Sequence, residues 1–202
     1  AQTDYTYEQD ISAANAQLDA LQAAAPRAKF HMLEGNHEQR VEKWAVTTAL
    51  RSGKDGEFLR KLVSPHSLLH LEERGIRYYR ESEKIDGGRV PGWLKLGKCW
   101  FVHGISTSKH AASAHLQKAG GNVVYGHTHR IDSAYTDGPE IGQIGAWNPG
   151  CLCELQPLWR HTSPTTWGQG YGVQMVNRSG EFMHFNVPIL NGKSLLMPLF
   201  RK

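Results

Sequence analysis

The sequence predicts an α/β protein with a mixed sheet or two stacked sheets. Helical and strand-like patterns alternate along the chain up to Ile131, and short strands separated by Gly/Pro turns follow. Alternating strands and helices predict a sheet covered by helices, and the later run of hairpins adds antiparallel strands. The length of 202 residues suits one hydrophobic core. We therefore predict a single domain over residues 1–202.

Glycine and proline separate the predicted elements in the first part of the chain. Apolar residues at steps of three and four indicate helices, and proline or glycine ends them. The predicted helices run from about Asp10 to Ala25, from His37 to about Leu50, and from a cap at Ser64 to Gly75. The predicted strands are AKFHMLEG and IRYYRE.

The second part of the chain contains two predicted hairpins around a helix and a strand. GWLKLGKCWFVHG is typical of two strands joined by a tight turn at Gly97, and GYGVQMVNRSGEFMHFNVPIL turns at Ser179 and Gly180. Between them, TSKHAASAHLQKAGG predicts a helix with a serine or threonine cap and a glycine stop, and NVVYG predicts a strand.

Composition excludes several classes of protein. Hydrophobic residues make up 40% and charged residues 21%, which is typical of a soluble domain. No apolar run is long enough to span a membrane, and no signal peptide is visible. The net charge of +4 comes from scattered Lys and Arg, so it permits a phosphate-rich partner without requiring one. An odd number of cysteines, three, favours a reducing compartment, and we expect a cytoplasmic protein.

Cys151 and Cys153 form a C-x-C pair. A metal-binding role is possible, but no second cysteine pair accompanies it. We interpret these two cysteines as ordinary small core residues. Two other residue types are also interpreted structurally: His110 and His115 as helix-surface histidines, and Trp147 as a core residue rather than a platform for a base.

Three apolar runs end in glycine beside histidine or asparagine. They are MLEGNHE, CWFVHG and VVYGHTHR. Carboxyl ends of strands converge in open α/β sheets, and sites form there. Neutral imidazole is the commonest protein ligand for borderline divalent metals, and an asparagine carbonyl is a suitable companion. The three runs together predict a metal or phosphate site built from Asn36, His37, His103, His127 and His129.

This order of motifs resembles the second half of the calcineurin-like metallophosphoesterase signature, D-x-H, G-D-x-x-D, G-N-H-[DE], H, G-H-x-H. The stretches LDALQAAAPRAKFHMLEGNHEQR and AWNPGCLCELQP…WGQGYGV are similar to phosphoesterases of bacteriophages and their bacterial relatives. The resemblance implies an αββα sandwich of mixed sheets. It also implies hydrolysis of phosphoesters, of phosphodiesterase or nuclease type, with nucleic acid or a nucleotide as substrate.

The resemblance implies a role for each matching residue. Asn36, His103 and His127 would bind one divalent ion and His129 a second. His37 would stand beside the scissile phosphate and assist in-line attack by a metal-bound hydroxide. The ions could be Mn, Fe, Zn or Ni, which this donor set does not distinguish.

Three charged neighbours of these motifs have weaker assignments. Glu38 in the first turn of the helix suits the helix dipole and is interpreted as structural. Arg40 and Arg130 could contact phosphate, although we favour an exposed ion pair for each.

The chain departs from the family at its first two motifs. Neither D-x-H nor G-D-x-x-D occurs in the 202 residues. We expect the chain to be the carboxy-terminal portion of such a domain, without the first strands and their aspartate ligands. Weak or no activity is expected of the isolated chain.

Three hypotheses follow. The first is part of an active metal-dependent phosphoesterase, whose upstream reading frame would encode the missing aspartates. The second is a non-catalytic binding module or scaffold with a degenerate metal site, against which the complete set of site histidines argues. The third is a one-metal protein or an unrelated hydrolase, which predicts one tightly bound zinc ion and no phosphoesterase activity.

Overall fold

A computed structural model describes residues 6–51, 53–81, 83, 90–140, 142–157, 164–194 and 196. The chain divides into two compact units, Ala1–Gly92 and Trp93–Lys202, called here the amino-terminal and carboxy-terminal units. The single domain predicted over residues 1–202 stays a prediction. Within the described residues, no helix combines the length and apolar character that crossing a bilayer requires.

The described residues of the amino-terminal unit form four α-helices. Their bounds are α1 (Tyr7–Ala24), α2 (Asn36–Arg51), α3 (Gly56–Val63) and α4 (Pro65–Leu68), with a 3₁₀ turn at Gly53–Asp55 before α3. The first two predicted helices are confirmed within a few residues. The start of the third is confirmed, with Ser64 at the N-cap and Pro65 at the first position. Its end is wrong: α4 ends at Leu68 rather than Gly75, because the chain turns through His70, which has a positive φ of 52°. The helix α3 was not predicted from the sequence.

Two short parallel strands complete the amino-terminal unit. They are β1 (His31–Leu33) and β2 (Arg77–Tyr79), both within stretches predicted as strands. Apolar residues of α1 pack against a buried cluster formed by the segment after α4 and by Tyr78 of β2. The cluster consists of Leu69, Leu71, Ile76 and Tyr78. Burial of this surface is the main stabilising contribution to the unit.

The carboxy-terminal unit is built on a mixed five-stranded sheet with the strand order β3-β4-β5-β7-β6. Its strands are β3 (Leu94–Leu96), β4 (Cys99–Val102), β5 (Asn122–Tyr125), β6 (Ile131–Thr136) and β7 (Ile144–Pro149). The three central strands are parallel and both edge pairs are antiparallel. The helix α5 (Ala111–Ala119) connects β4 to β5. The carboxyl ends of β4 and β5 therefore meet at one edge of this sheet.

A three-stranded antiparallel sheet follows, with the order β10-β9-β8. It consists of β8 (Gly170–Val176), β9 (Phe182–Leu190) and β10 (Lys193–Ser194). Both predicted hairpins, β3–β4 and β8–β9, are confirmed. The predicted serine or threonine cap of α5 is wrong, since His110 occupies the N-cap position. The mixed α/β class with several sheets is confirmed.

The core of the carboxy-terminal unit lies between α5 and the five-stranded sheet. Its buried residues are Val102, Ala111, Ala112, Leu116, Val123, Tyr125 and Ala146. Trp147 is 8% exposed, which confirms its prediction as a core residue. This packing includes Val102 at the end of β4 and Tyr125 at the end of β5.

Candidate metal centre

The ends of β4 and β5 approach closely at two glycines. The Gly126 N–H donates to the His103 carbonyl over 2.8 Å. Gly104 has a φ of +131°, and a Cβ there would lie 2.8 Å from the Cβ of His127. Because only glycine combines this backbone conformation with this space, Gly104 is required for the approach. The approach sets the distance between His103 and His127.

The side chains of His103 and His127 meet directly. The Nε2 atom of His103 lies 3.1 Å from the Nδ1 atom of His127, and the two rings are inclined by 65°. Metal–imidazole bonds of about 2.0–2.1 Å put two neighbouring nitrogen ligands of one ion about 2.8–3.4 Å apart, from octahedral to tetrahedral angles. The observed separation falls within that range. The pair therefore fits two ligands of a single divalent ion.

The G-H-T-H loop holds two histidines in a left-handed backbone conformation. His127 has a φ of 70° and His129 a φ of 59°. An L-residue other than glycine pays roughly 1–2 kcal/mol for this conformation. Such backbone outliers cluster at sites where a side chain must be aimed in one direction. The loop therefore has the backbone character of a functional site.

Asn148 of β7 fixes the loop from inside the protein. It is fully buried, and its Nδ2 donates to the Gly126 carbonyl over 3.0 Å and to Thr128 Oγ1 over 2.7 Å. Its Oδ1 accepts from the Gly150 N–H over 3.0 Å. One buried amide thus makes hydrogen bonds to the residues immediately before and after His127. Asn148 was not among the predicted site residues, although a polar residue inside a buried strand is a readable signal.

His115 of α5 is fully buried, so its prediction as a surface histidine is wrong. Its Nε2 accepts from the Ile105 N–H over 2.8 Å, and its Nδ1 faces the Ala111 carbonyl at 2.7 Å. The ring stacks on Tyr125 with centroids 3.8 Å apart. Burial lowers the pKa of His115, outweighing the bond to Ala111, which raises it. The neutral ring anchors the segment that follows His103.

His129 points to a different set of partners. Its Nδ1 lies 3.5 Å from the Cys153 Sγ, and its ring packs edge-on against Trp167 with centroids 4.3 Å apart. The ligand atoms of His129, Cys151 and Cys153 all lie within 4.8 Å of one another. Cys151 is half-buried and Cys153 exposed, so their prediction as core residues is wrong. Cys99, in contrast, is buried.

Arg130 lies next to this loop and is half-buried. Its Nη2 donates to the Ser108 carbonyl over 2.6 Å. The favoured prediction of an exposed ion pair is therefore wrong. Its Nε is buried without a hydrogen-bond partner among the described residues. An unsatisfied buried N–H costs about 1–3 kcal/mol, which an anion reached by rotation of the side chain would recover.

The remaining predicted residues belong to the amino-terminal unit. Asn36 begins α2 and is half-buried, and His37 is exposed in the first turn. The Gly35 N–H donates to Glu38 Oε2 over 2.9 Å, which confirms a structural role for Glu38. Arg40 is exposed on the same helix. His37 thus stands beside a helix N-terminus, where backbone N–H groups favour anions.

Comparisons of the chain with protein-family models, with curated proteins and with solved structures found no match.

Proposed function

We propose that the chain is the metal-binding portion of a phosphoester hydrolase of the calcineurin-like metallophosphoesterase type. The contact between His103 and His127 carries the proposal, because their nitrogens stand 3.1 Å apart at the ends of two parallel strands. Two imidazoles at that spacing suit one divalent ion. The αββα sandwich of that family is part of the proposal.

The chemistry of the site follows from these donors. A divalent ion would polarise a phosphoryl oxygen and acidify an attacking water. His103 and His127 would hold the ion in a fixed position, since Gly104 and Asn148 restrain the loops that carry them. Arg130 would neutralise a phosphate oxygen, which would give its unpaired Nε–H a partner.

We assign His37 and Asn36 by the resemblance of G-N-H-E to the family motif. His37 would donate a proton to the leaving oxygen or stabilise its charge, and its exposure at the start of α2 leaves it accessible to substrate. The same resemblance assigns Asn36 as an amide-oxygen metal ligand. A phosphodiester of a nucleotide or nucleic acid is the proposed substrate class.

Metal loading of the full chain tests the proposal. The 202-residue protein is stripped with chelator and titrated with Mn²⁺, Fe²⁺, Zn²⁺ or Ni²⁺, and bound metal is measured by elemental mass spectrometry. Hydrolysis of a chromogenic phosphodiester and of the matching monoester is followed in parallel. We expect His103→Ala and His127→Gly each to weaken Mn²⁺ binding by about tenfold or more.

The matched control is His110→Ala, because His110 is an exposed histidine of the same unit. It should bind metal as the unsubstituted chain does. Unchanged Mn²⁺ binding in both site variants would overturn the proposed centre. Hydrolysis of either ester by the metal-loaded chain would favour the enzyme over the binding module.

A further inference from the structure

A second group of metal-binding side chains lies in the carboxy-terminal unit, and the proposed hydrolysis does not require it. Among the described residues, His129, Cys151 and Cys153 form a group whose ligand atoms lie within 4.8 Å of one another. His129 follows β5, whereas the two cysteines follow β7. Two thiols and an imidazole from separate segments are therefore brought together by the fold, and not merely by sequence proximity.

The measured distance fits tetrahedral zinc. The His129 Nδ1 and the Cys153 Sγ are 3.5 Å apart. Zinc bonds of about 2.3 Å to sulfur and 2.0–2.1 Å to nitrogen, at tetrahedral angles, place such a pair about 3.5 Å apart. Cys151 lies within the same cluster, so closing it around an ion needs only a small side-chain movement.

The backbone around the group is already in place. The Gly168 N–H donates to the His129 carbonyl and the Cys151 N–H donates to the Gly168 carbonyl, both over 2.9 Å. The Gln169 side chain donates to the Cys153 carbonyl over 3.0 Å. One segment thus ties all three ligand-bearing residues together. This preorganisation reduces the entropy lost when an ion binds.

Two neighbours shape the site further. Gly150 has a φ of +95°, and a Cβ there would lie 2.2 Å from the Gly168 carbonyl oxygen. Only glycine at position 150 allows the turn that carries Cys151 to approach Gly168. The Trp167 ring covers one edge of His129 and supplies an apolar wall. An apolar wall beside a metal limits solvent access and strengthens its electrostatic interactions.

We propose that His129, Cys151 and Cys153 form a zinc site with three protein ligands and an open fourth position. Thiolates select zinc over the harder manganese and magnesium ions. Three protein ligands with one open position are the pattern of zinc sites that bind a water or a substrate group. The thiolates also supply negative charge that His103 and His127 lack. The site uses neither of those two histidines.

Cobalt substitution in the full, reduced chain tests this site. Protein is stripped with chelator, kept under a phosphine reductant without air, and titrated with Co²⁺ alone. We expect one equivalent to produce sulfur-to-cobalt charge-transfer absorption and the intense visible bands of tetrahedral Co²⁺. Added Zn²⁺ should abolish both. Competition with a chromophoric chelator then gives the Zn²⁺ affinity.

Variants assign the ligands. Cys151→Ser and Cys153→Ser should each remove the charge-transfer intensity of one thiolate and weaken Zn²⁺ binding by about a hundredfold. His129→Asn removes the imidazole while tolerating the positive φ, and should weaken binding similarly. Cys99→Ala is the matched control, because Cys99 is buried in β4 and outside the group. Circular dichroism verifies that each variant is folded.

The spectroscopic result separates this site from the proposed hydrolase centre. His103→Ala should leave the cobalt–sulfur absorption unchanged, whatever its effect on Mn²⁺ binding. Absorption that survives in a folded Cys151→Ser/Cys153→Ser double variant, or that disappears in Cys99→Ala, would overturn the assignment. A reduced, folded chain that binds Co²⁺ without charge-transfer absorption would also overturn the assignment. Formation of a Cys151–Cys153 disulfide in air would not rescue it.

Discussion

Two turns of the molecule have the same sequence pattern and different physical character. Each follows an apolar run that ends in glycine and then places a histidine: G-N-H-E in the amino-terminal unit and G-H-T-H in the carboxy-terminal unit. The first continues directly into α2, with His37 exposed on helical backbone. The second holds His127 and His129 at positive φ. Only the second turn carries a local backbone cost.

The difference lies in what restrains each turn. Glu38 accepts one backbone hydrogen bond from Gly35, which is an ordinary feature of a helix start. The G-H-T-H loop is held by the fully buried Asn148 and by the close approach of Gly104. Restraints from distant segments are what keep a strained loop in one conformation. The comparison therefore identifies the carboxy-terminal turn as the preorganised one.

The largest effect expected is that of Asn148→Ala. The variant removes three hydrogen bonds. It leaves the half-buried Gly150 N–H without its Asn148 acceptor, whereas the Gly126 carbonyl keeps the bond from the Thr128 N–H. We expect a loss of roughly 3 kcal/mol in the free energy of unfolding, at about 1 kcal/mol per bond. Glu38→Ala, its counterpart at the other turn, should lose about 1 kcal/mol or less. Urea denaturation measures both. Equal losses would remove the distinction between the turns.

The Gly104→Ala variant is expected to show the next largest loss in the free energy of unfolding. The new methyl group would lie 2.8 Å from the His127 Cβ on a backbone with a φ of +131°. Strain and overlap together should cost about 2–3 kcal/mol. The control is Gly120→Ala, where φ is +58° and the space around the position is open, so only the backbone cost of about 1 kcal/mol remains. A Gly104→Ala variant as stable as the control would mean that the strand ends separate easily.

A pH titration of stability tests the restraint supplied by His115. Burial lowers its pKa in the folded protein, so below about pH 6.5 the unfolded chain takes up a proton that the folded chain does not. Stability is therefore retained above that pH and falls as the pH decreases, by up to about 1.4 kcal/mol per pH unit for one proton.

The variant His115→Gln isolates this contribution, because His184 and His31 also have pKa values lowered by burial. The slope of unfolding free energy against pH between 5 and 6.5 should be smaller in the variant. This slope is independent of any constant destabilisation caused by the substitution. The same slope in both proteins would show that His115 is protonated in the folded state.

The sequence predicted those features that depend on local chemistry. The β3–β4 and β8–β9 hairpins follow from turn residues flanked by apolar runs, and α1 and α2 follow from helical spacing. The histidine that follows each apolar run was also readable. The contact between His103 and His127 required, in addition, the parallel pairing of β4 with β5.

The features that were missed depend on contacts between distant segments. His115 has ordinary helix-surface spacing, and its burial follows from stacking on Tyr125. The half-buried position of Cys151 depends on hydrogen bonds to Gly168, which is separated from it by a stretch of irregular sequence. Neither contact leaves a periodic signal. For this reason the C-x-C pair was interpreted from the sequence as small core residues. Only the fold shows that His129 lies beside it.

The smallest expected effects come from alanine and glycine substitutions at His127 and His37, which compare the two turns most directly. Replacing a histidine by either Ala or Gly removes the ring, so the difference between the two variants reports the backbone alone. At position 127, where φ is 70°, the Gly variant should be more stable than the Ala variant by about 1 kcal/mol. At position 37, on helical backbone, Ala should be the more stable by about 0.5–1 kcal/mol. Denaturant midpoints of the four proteins measure the two differences. Opposite signs would show that G-H-T-H is held against its backbone preference while G-N-H-E follows it. The same sign at both positions would mean that the left-handed conformation at His127 costs nothing, and the case for a preorganised metal-binding loop would lose its main physical support.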